Sequence, residues 1–232
     1  MNTPLVALAL LLSAAPSQKK ASPAKAAPAA PAAPAPVDKK VEPFEGYFFY
    51  KAEATNPLAK TSGPAARGAG QVKLAVSPMG VRSETKFSGS GRSSATTTLV
   101  TGNPPLAKGW SPQAQRFLQM PPPPQVTRGQ VKSERVGTET LVGLETVHVR
   151  IMDGADTLEF WTAPGLVDDL QMQWIVASSS RLPAYVADEL KRQGAWGPVV
   201  RSVRGMSVVQ LERVERTKLN PAIFSESTAP AQ

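Results

Sequence analysis

The chain has 232 residues and a formal net charge of +8, with no cysteine and a single histidine, His148. Those counts exclude disulfides, Cys-ligated zinc, iron–sulfur clusters, thiol nucleophiles and multi-histidine metal sites. Nor is the charge a nucleic-acid signature: residues 1–41 hold five lysines against Asp38, and the other 191 residues contribute only +4, a mild excess that reads as a solvated surface.

An apolar run from Leu5 to Leu12, followed by Ser13-Ala14-Ala15-Pro16-Ser17, reads as a signal peptide over residues 1–17, although no Lys or Arg precedes it. The run is too short to span a bilayer, which takes about 20 apolar residues, so the chain is expected to be exported, not transmembrane. Residues 18–41 read as a disordered Ala/Pro/Lys-rich spacer; residues 21–36 hold nine Ala and five Pro. Prolines at that density favour extended polyproline II, reaching ~50 Å at ~3.1 Å per residue.

A single, mostly β domain is expected over 42–226, with a disordered tail at 227–232. Tyr47 and Phe49 alternate with Phe48 and Tyr50, so both faces of a strand at 46–53 need cover, or one face lines a cavity. Val72, Leu74 and Val76 form one period-two run, and Val81, Ser83, Thr85 and Phe87 form the next; Ser77-Pro78-Met79-Gly80 between them predicts a hairpin. Val147, Val149 and Ile151 alternate likewise, and Asp153-Gly154-Ala155-Asp156 links that strand to 157–162. Segments 96–100, 131–136 and 206–217 are further strands, the last losing its alternation as if bulged near Glu212-Arg213.

Two helices carry boundary signals. Ser180 as N-cap, a stripe of Leu182, Tyr185, Val186 and Leu190, and Gly194 after Lys191-Arg192 predict a helix over 182–193. Ser111-Pro112 predicts a short helix running to about Met120. Segment 168–177 fits either a strand or a helix. The Pro-bounded insertion at 104–124 carries Trp110, Phe117, Leu118 and Met120, an apolar set that fits a cap on the core, a lid or a partner surface.

Catalytic signals are weak. His148 falls mid-strand beside Arg150 on a polar face, and no serine has a nucleophile-elbow setting. Asp168-Asp169 and the Asp153/Asp156 turn lack the spacing of a two-acid site or a calcium loop. The glycines of 63–70 and 89–91 match no phosphate loop. No catalytic, cofactor or metal residue is assigned, and no cofactor is expected.

Four segments, 70–84, 135–148, Glu159-Phe-Trp-Thr-Ala-Pro-Gly165, and 208–212 through 221–224, together resemble a family of uncharacterised exported bacterial proteins. The fold of that family is similar to the periplasmic lipoprotein carriers of the LolA and LppX type. The resemblance implies an α+β, mainly β domain: a curved antiparallel sheet, or half-barrel, with one to three helices over its concave face. It also implies an apolar ligand on that face, under 182–193 and 104–124, for which Tyr47, Phe49, Trp110, Phe117, Trp161, Trp174, Tyr185 and Leu190 are the candidate lining residues. The expectation is a periplasmic or secreted, non-enzymatic binding protein for a lipid or other apolar molecule. The alternative is an envelope scaffold or interaction module with a filled core, contacting an envelope protein or peptidoglycan. A hydrolase ranks last.

Overall fold

The computed structural model describes residues 41–55, 67–89, 92–121, 131–154, 156–179 and 182–230. All lie in the second of two units, Lys39–Gln232. The signal peptide, nearly all of the spacer, residues 63–66 of the 63–70 glycine segment and Ser180 lie outside the described residues.

Period-two patterning produces one sheet of eleven strands. In chain order they are β1 (Gly46–Thr55), β2 (Arg67–Ser77), β3 (Gly80–Gly89), β4 (Arg92–Thr101), β5 (Leu106–Ser111), β6 (Arg116–Gln119), β7 (Val131–Leu141), β8 (Leu144–Asp153), β9 (Asp156–Thr162), β10 (Val199–Arg204) and β11 (Ser207–Arg216). The chain winds outward from β1 to an edge at β6, restarts at the opposite edge with β7, and winds back until β11 pairs with β1, giving the order β6-β5-β4-β3-β2-β1-β11-β10-β9-β8-β7. Every neighbouring pair is antiparallel.

Connectivity alone requires this sheet to curl. Laid flat, ten inter-strand spacings of ~4.8 Å would hold the edges ~48 Å apart. The link from Gln119 to Val131 reaches at most ~43 Å when fully extended. The sheet is open and curved, a half-barrel, as the resemblance implied.

The expected hairpin closes at Ser77↔Gly80, and Asp153↔Asp156 closes the β8–β9 turn. The irregularity in the last strand is a bulge. Phe49 pairs with Arg213 but Tyr50 pairs with Leu211, so Glu212 is the extra residue. The shift returns Val209, Leu211 and Val214 to the face shared by Ala52, Tyr50 and Phe48.

The ambiguous segment is a helix, α1 (Asp169–Ser178), started by a capping box in which the Gln171 amide N–H donates to Asp168 and the Gln171 side chain accepts from the Asp168 amide. Its apolar residues do not form one clean stripe because the helix is covered on several sides: Met172, Trp174 and Ile175 are all buried. The second helix, α2 (Ala184–Arg192), begins two residues later than expected. Pro183, which falls in the first turn of a helix over 182–193, instead occupies the cap position and makes no side-chain cap bond. Its end follows the glycine signal: Gly194 has φ +66°, and the Gly194 and Ala195 amides donate to the Lys191 and Leu190 carbonyls.

The helix expected over residues 111–120 is absent. That segment is the β5–β6 hairpin, with Trp110 opposite Phe117 and Gln115 at φ 49° in the turn. Proline's fixed φ suits the first position of a turn as well as a helix, and here the turn prevails because Trp110 and Phe117 bury against the same side of the sheet. Residues 106–119 of the 104–124 insertion therefore extend the sheet edge.

Candidate functional site: a cavity beneath the first helix

α1 leaves β9, crosses the concave face and packs on β2 to β5, where the Trp174 indole N–H donates to the Gly102 carbonyl at 2.7 Å. α2 turns back onto β8, burying Val186 and Leu190 against Val149, Ile151, Leu158 and Phe160. Between α1 and the sheet lies a cavity of about 430 Å³, within the 300–1,000 Å³ range typical of small-molecule sites.

One row of paired residues crosses seven strands under this space: Phe160, Ser202, Val209, Ala52, Gly70, Phe87 and Ser94. All but Gly70 line the cavity. Only a curled sheet can bring the β9 and β4 ends of that row to one space. Gly70 and Gly68 give the row its shape, since a Cβ at Gly68 would stand 2.4 Å from Phe87 Cζ and one at Gly70 3.1 Å from Phe87 Cδ2. The Phe87 ring therefore lies across glycine backbone, where any side chain would displace it. Tyr50, Val72 and Leu74 continue the floor, and Met172, Ile175, Val176 and Ser178 of α1, with its C-cap Ser179, form the roof. Leu182 completes it.

The lining is uncharged among the described residues: eleven apolar side chains, Tyr50, and eight serines or threonines. Burial alone pushes the Tyr50 phenol well above its ordinary pKa, so it stays a neutral hydroxyl. With no ionised group among the described wall residues, they offer apolar contact and neutral hydrogen bonds.

None of the eight residues named from the sequence lines the cavity. Tyr47 and Phe49 lie on the outer face, under Lys73 Nζ at 4.3 Å and the Arg213 guanidinium at 3.8 Å from their respective ring centres. Trp110 and Phe117, 5.3 Å apart edge to face, pack on that outer face with Ala75, Leu99, Leu219 and Phe224. Trp161 also faces outward, stacked on His148 with ring centres 4.0 Å apart and bonded through its indole N–H to Glu139. Trp174 belongs to the packed core at the α1 contact, and Tyr185 and Leu190 belong to the α2 cluster. On β1 and β9 a neighbour one or three residues away takes the inward place, as Phe160 does for Trp161 and Tyr50 does for Phe49 and Tyr47. A legible signal existed at β3, where Val81, Ser83, Thr85 and Phe87 form the less polar of two alternating faces.

His148 and Arg150 share the outer face with Glu159: Arg150 Nε donates to Glu159 at 3.0 Å and Arg150 Nη1 to Glu134 at 2.7 Å. No serine is bonded to His148, whose Nε2 is buried without a hydrogen bond. Among the described residues no cluster of three or more His, Asp or Glu side chains is placed to hold a metal, and no helix is long and apolar enough to cross a membrane.

No curated protein matches the chain. Solved structures with a similar arrangement include PNGF-II, at 10% identity and a TM-score of 0.34, covering 77% of this chain and 29% of that one. The chain thus spans less than a third of the PNGF-II length. Another is a candidate outer membrane lipoprotein-sorting protein domain from Vibrio parahaemolyticus, at 7% identity and a TM-score of 0.33, covering 78% of this chain and 89% of that one. By sequence, residues 125–228, which hold the β7–β11 half of the sheet and both helices, match DUF4412, a domain of unknown function.

Proposed function

We propose that the protein is an exported, non-enzymatic binding protein that shelters a lipid or other apolar ligand in the cell envelope. The observation that carries this reading is the cavity of about 430 Å³ under α1, whose described lining residues are uncharged. A protein interior is normally packed nearly as densely as an organic crystal, so unfilled apolar space of this size is a cost that stability alone would not keep. The position of His148 supports a non-enzymatic role, because it stacks on Trp161 on the face away from the cavity. Export is supported by the amino-terminal sequence, which reads as a signal peptide.

The test is native mass spectrometry of protein purified from envelope extracts, before and after lipid extraction. A stoichiometric apolar adduct that extraction removes is the expected result. A clean apo mass, with no uptake of added fatty acid, glyceride or phospholipid, would sink the carrier reading. The second reading, an interaction module, draws on the outer face, where Lys73 and Arg213 stand over Tyr47 and Phe49 and present cationic groups to an envelope protein or wall polymer.

A further inference from the structure

The cavity wall changes character across the sheet. On the β9–β11 side it is mainly apolar, with Phe160, Val199 and Val209. On the β3–β4 side it is a ladder of hydroxyls, with Ser83 paired to Thr98 and Thr85 paired to Thr96, all four facing the cavity. Three other buried hydroxyls of the domain are satisfied locally: Thr146 donates to the Glu139 carbonyl at 2.7 Å, Thr162 to the Ala195 carbonyl at 2.7 Å, and Ser178 to the Ile175 carbonyl at 2.8 Å. Among the described residues the four ladder hydroxyls have no side-chain hydrogen bond within the protein. Exposure also grades along the ladder, from buried Ser83 through half-buried Thr85 and Thr98 to exposed Thr96. The polar wall therefore runs toward the mouth, while Tyr50, Leu74 and Met172 close the inner end.

Three ligand chemistries fare differently against this wall. A pure hydrocarbon would cover the inner hydroxyls and leave them unpaired. An ionised carboxylate or phosphate head would enter a site with no counter-charge among the described lining residues. A neutral head with hydroxyl or ester oxygens would satisfy the ladder while its chain filled the apolar side. We infer that the cavity takes a single-chain neutral amphiphile, with an aliphatic chain toward Met172 and Phe160 and an uncharged oxygen-bearing head on Ser83, Thr85, Thr96 and Thr98. The inference rests on the binding reading above and names the ligand class for the same site.

The experiment is displacement of an uncharged, environment-sensitive apolar dye from the purified protein by three ligands of equal chain length: monolaurin, laurate at pH 8.5 and dodecane. Monolaurin is expected to bind about tenfold or more tighter than laurate, which lacks a counter-charge. The double variant Thr85→Val, Thr96→Val keeps β-branched side chains of similar shape. It should weaken monolaurin by about fivefold or more, whereas dodecane and the apolar dye should bind at least as tightly as before because the wall gains methyl groups, and dye uptake by the variant reports an intact cavity. Laurate binding as tightly as monolaurin, or a double variant that takes up both dye and monolaurin normally, would overturn the neutral-head assignment and leave the carrier reading standing. Failure of the dye and all three ligands to bind would overturn the carrier reading itself.

Discussion

The Gln171 side chain and the Phe44 main chain are joined by two buried hydrogen bonds: the Phe44 amide donates to Gln171 Oε1 at 2.8 Å, and Gln171 Nε2 donates to the Phe44 carbonyl at 2.7 Å. The residues are 127 positions apart, and Gln171 is 1% exposed. One side chain thus fixes the first turn of α1 to the segment leading into β1, and so sets the height of the roof over the cavity.

Substituting Gln171→Leu would keep volume but leave two buried main-chain groups without partners and remove half of the capping box. At about 1–3 kcal/mol for each unsatisfied group, the loss should be about 2–5 kcal/mol. Urea unfolding checks it: the midpoint should fall with the slope unchanged. A change below about 0.5 kcal/mol would mean that water replaces the amide at no cost.

Much of the fold could be read from the sequence. Alternation at 72–76, 81–87 and 147–151, the Ser77–Gly80 turn and the Asp153–Asp156 turn place half of the sheet, and the broken pattern near Glu212 marks its bulge. The cavity was less legible. Period two tells which residues share a face but not which face is inward, and along β1 and β9 aromatic residues occupy both faces. Trp161 and Phe160 differ by one position, and the larger ring is on the outside because His148 and Arg201 sandwich it there. Ser83 and Thr85, which look like surface residues by composition, point inward. Residues 111–120 read as a helix because Ser-Pro opens helices and turns alike.

Gly68→Ala places a Cβ 2.4 Å from the present Phe87 Cζ position, so the ring must leave the glycine floor. The strain should cost about 1–3 kcal/mol, and the displaced ring should obstruct the cavity. Thermal unfolding and dye uptake should both register the change, and loss of stability with uptake intact would separate Phe87 from the binding surface.

Arg82 is 5% exposed and holds the C-terminal segment to the outer face, donating to the Ile223 carbonyl at 3.0 Å, the Thr228 carbonyl at 3.2 Å and Glu84 at 3.2 Å. Thr228 belongs to the stretch read from sequence as a tail. Arg82→Met should cost about 1–3 kcal/mol, the loss of charge-assisted bonds. It should also speed hydrogen exchange at the Ile223, Ser225 and Thr228 amides, which donate within this segment. Unchanged exchange there would show that Leu219 and Phe224 hold the segment by packing alone.

His148→Phe tests the non-enzymatic reading from the opposite face. The phenyl ring retains the stack on Trp161 and removes a buried nitrogen that has no hydrogen bond. Stability should be unchanged or raised by up to about 1 kcal/mol, with ligand uptake intact. Loss of uptake, or of any esterase activity found in the wild-type protein, would relocate the working site to this face.

Whether the space under α1 binds an apolar ligand is tested most directly by titrating the wild-type protein and Ala52→Phe with an uncharged apolar dye. Ala52 lies in the floor between Val209 and Gly70, and a phenyl ring there occupies the cavity without touching the outer face. Saturable one-to-one uptake by the wild type, weakened about tenfold or more in Ala52→Phe with thermal stability retained, is the predicted result. Equal uptake by both proteins, or none by the wild type, would contradict the account.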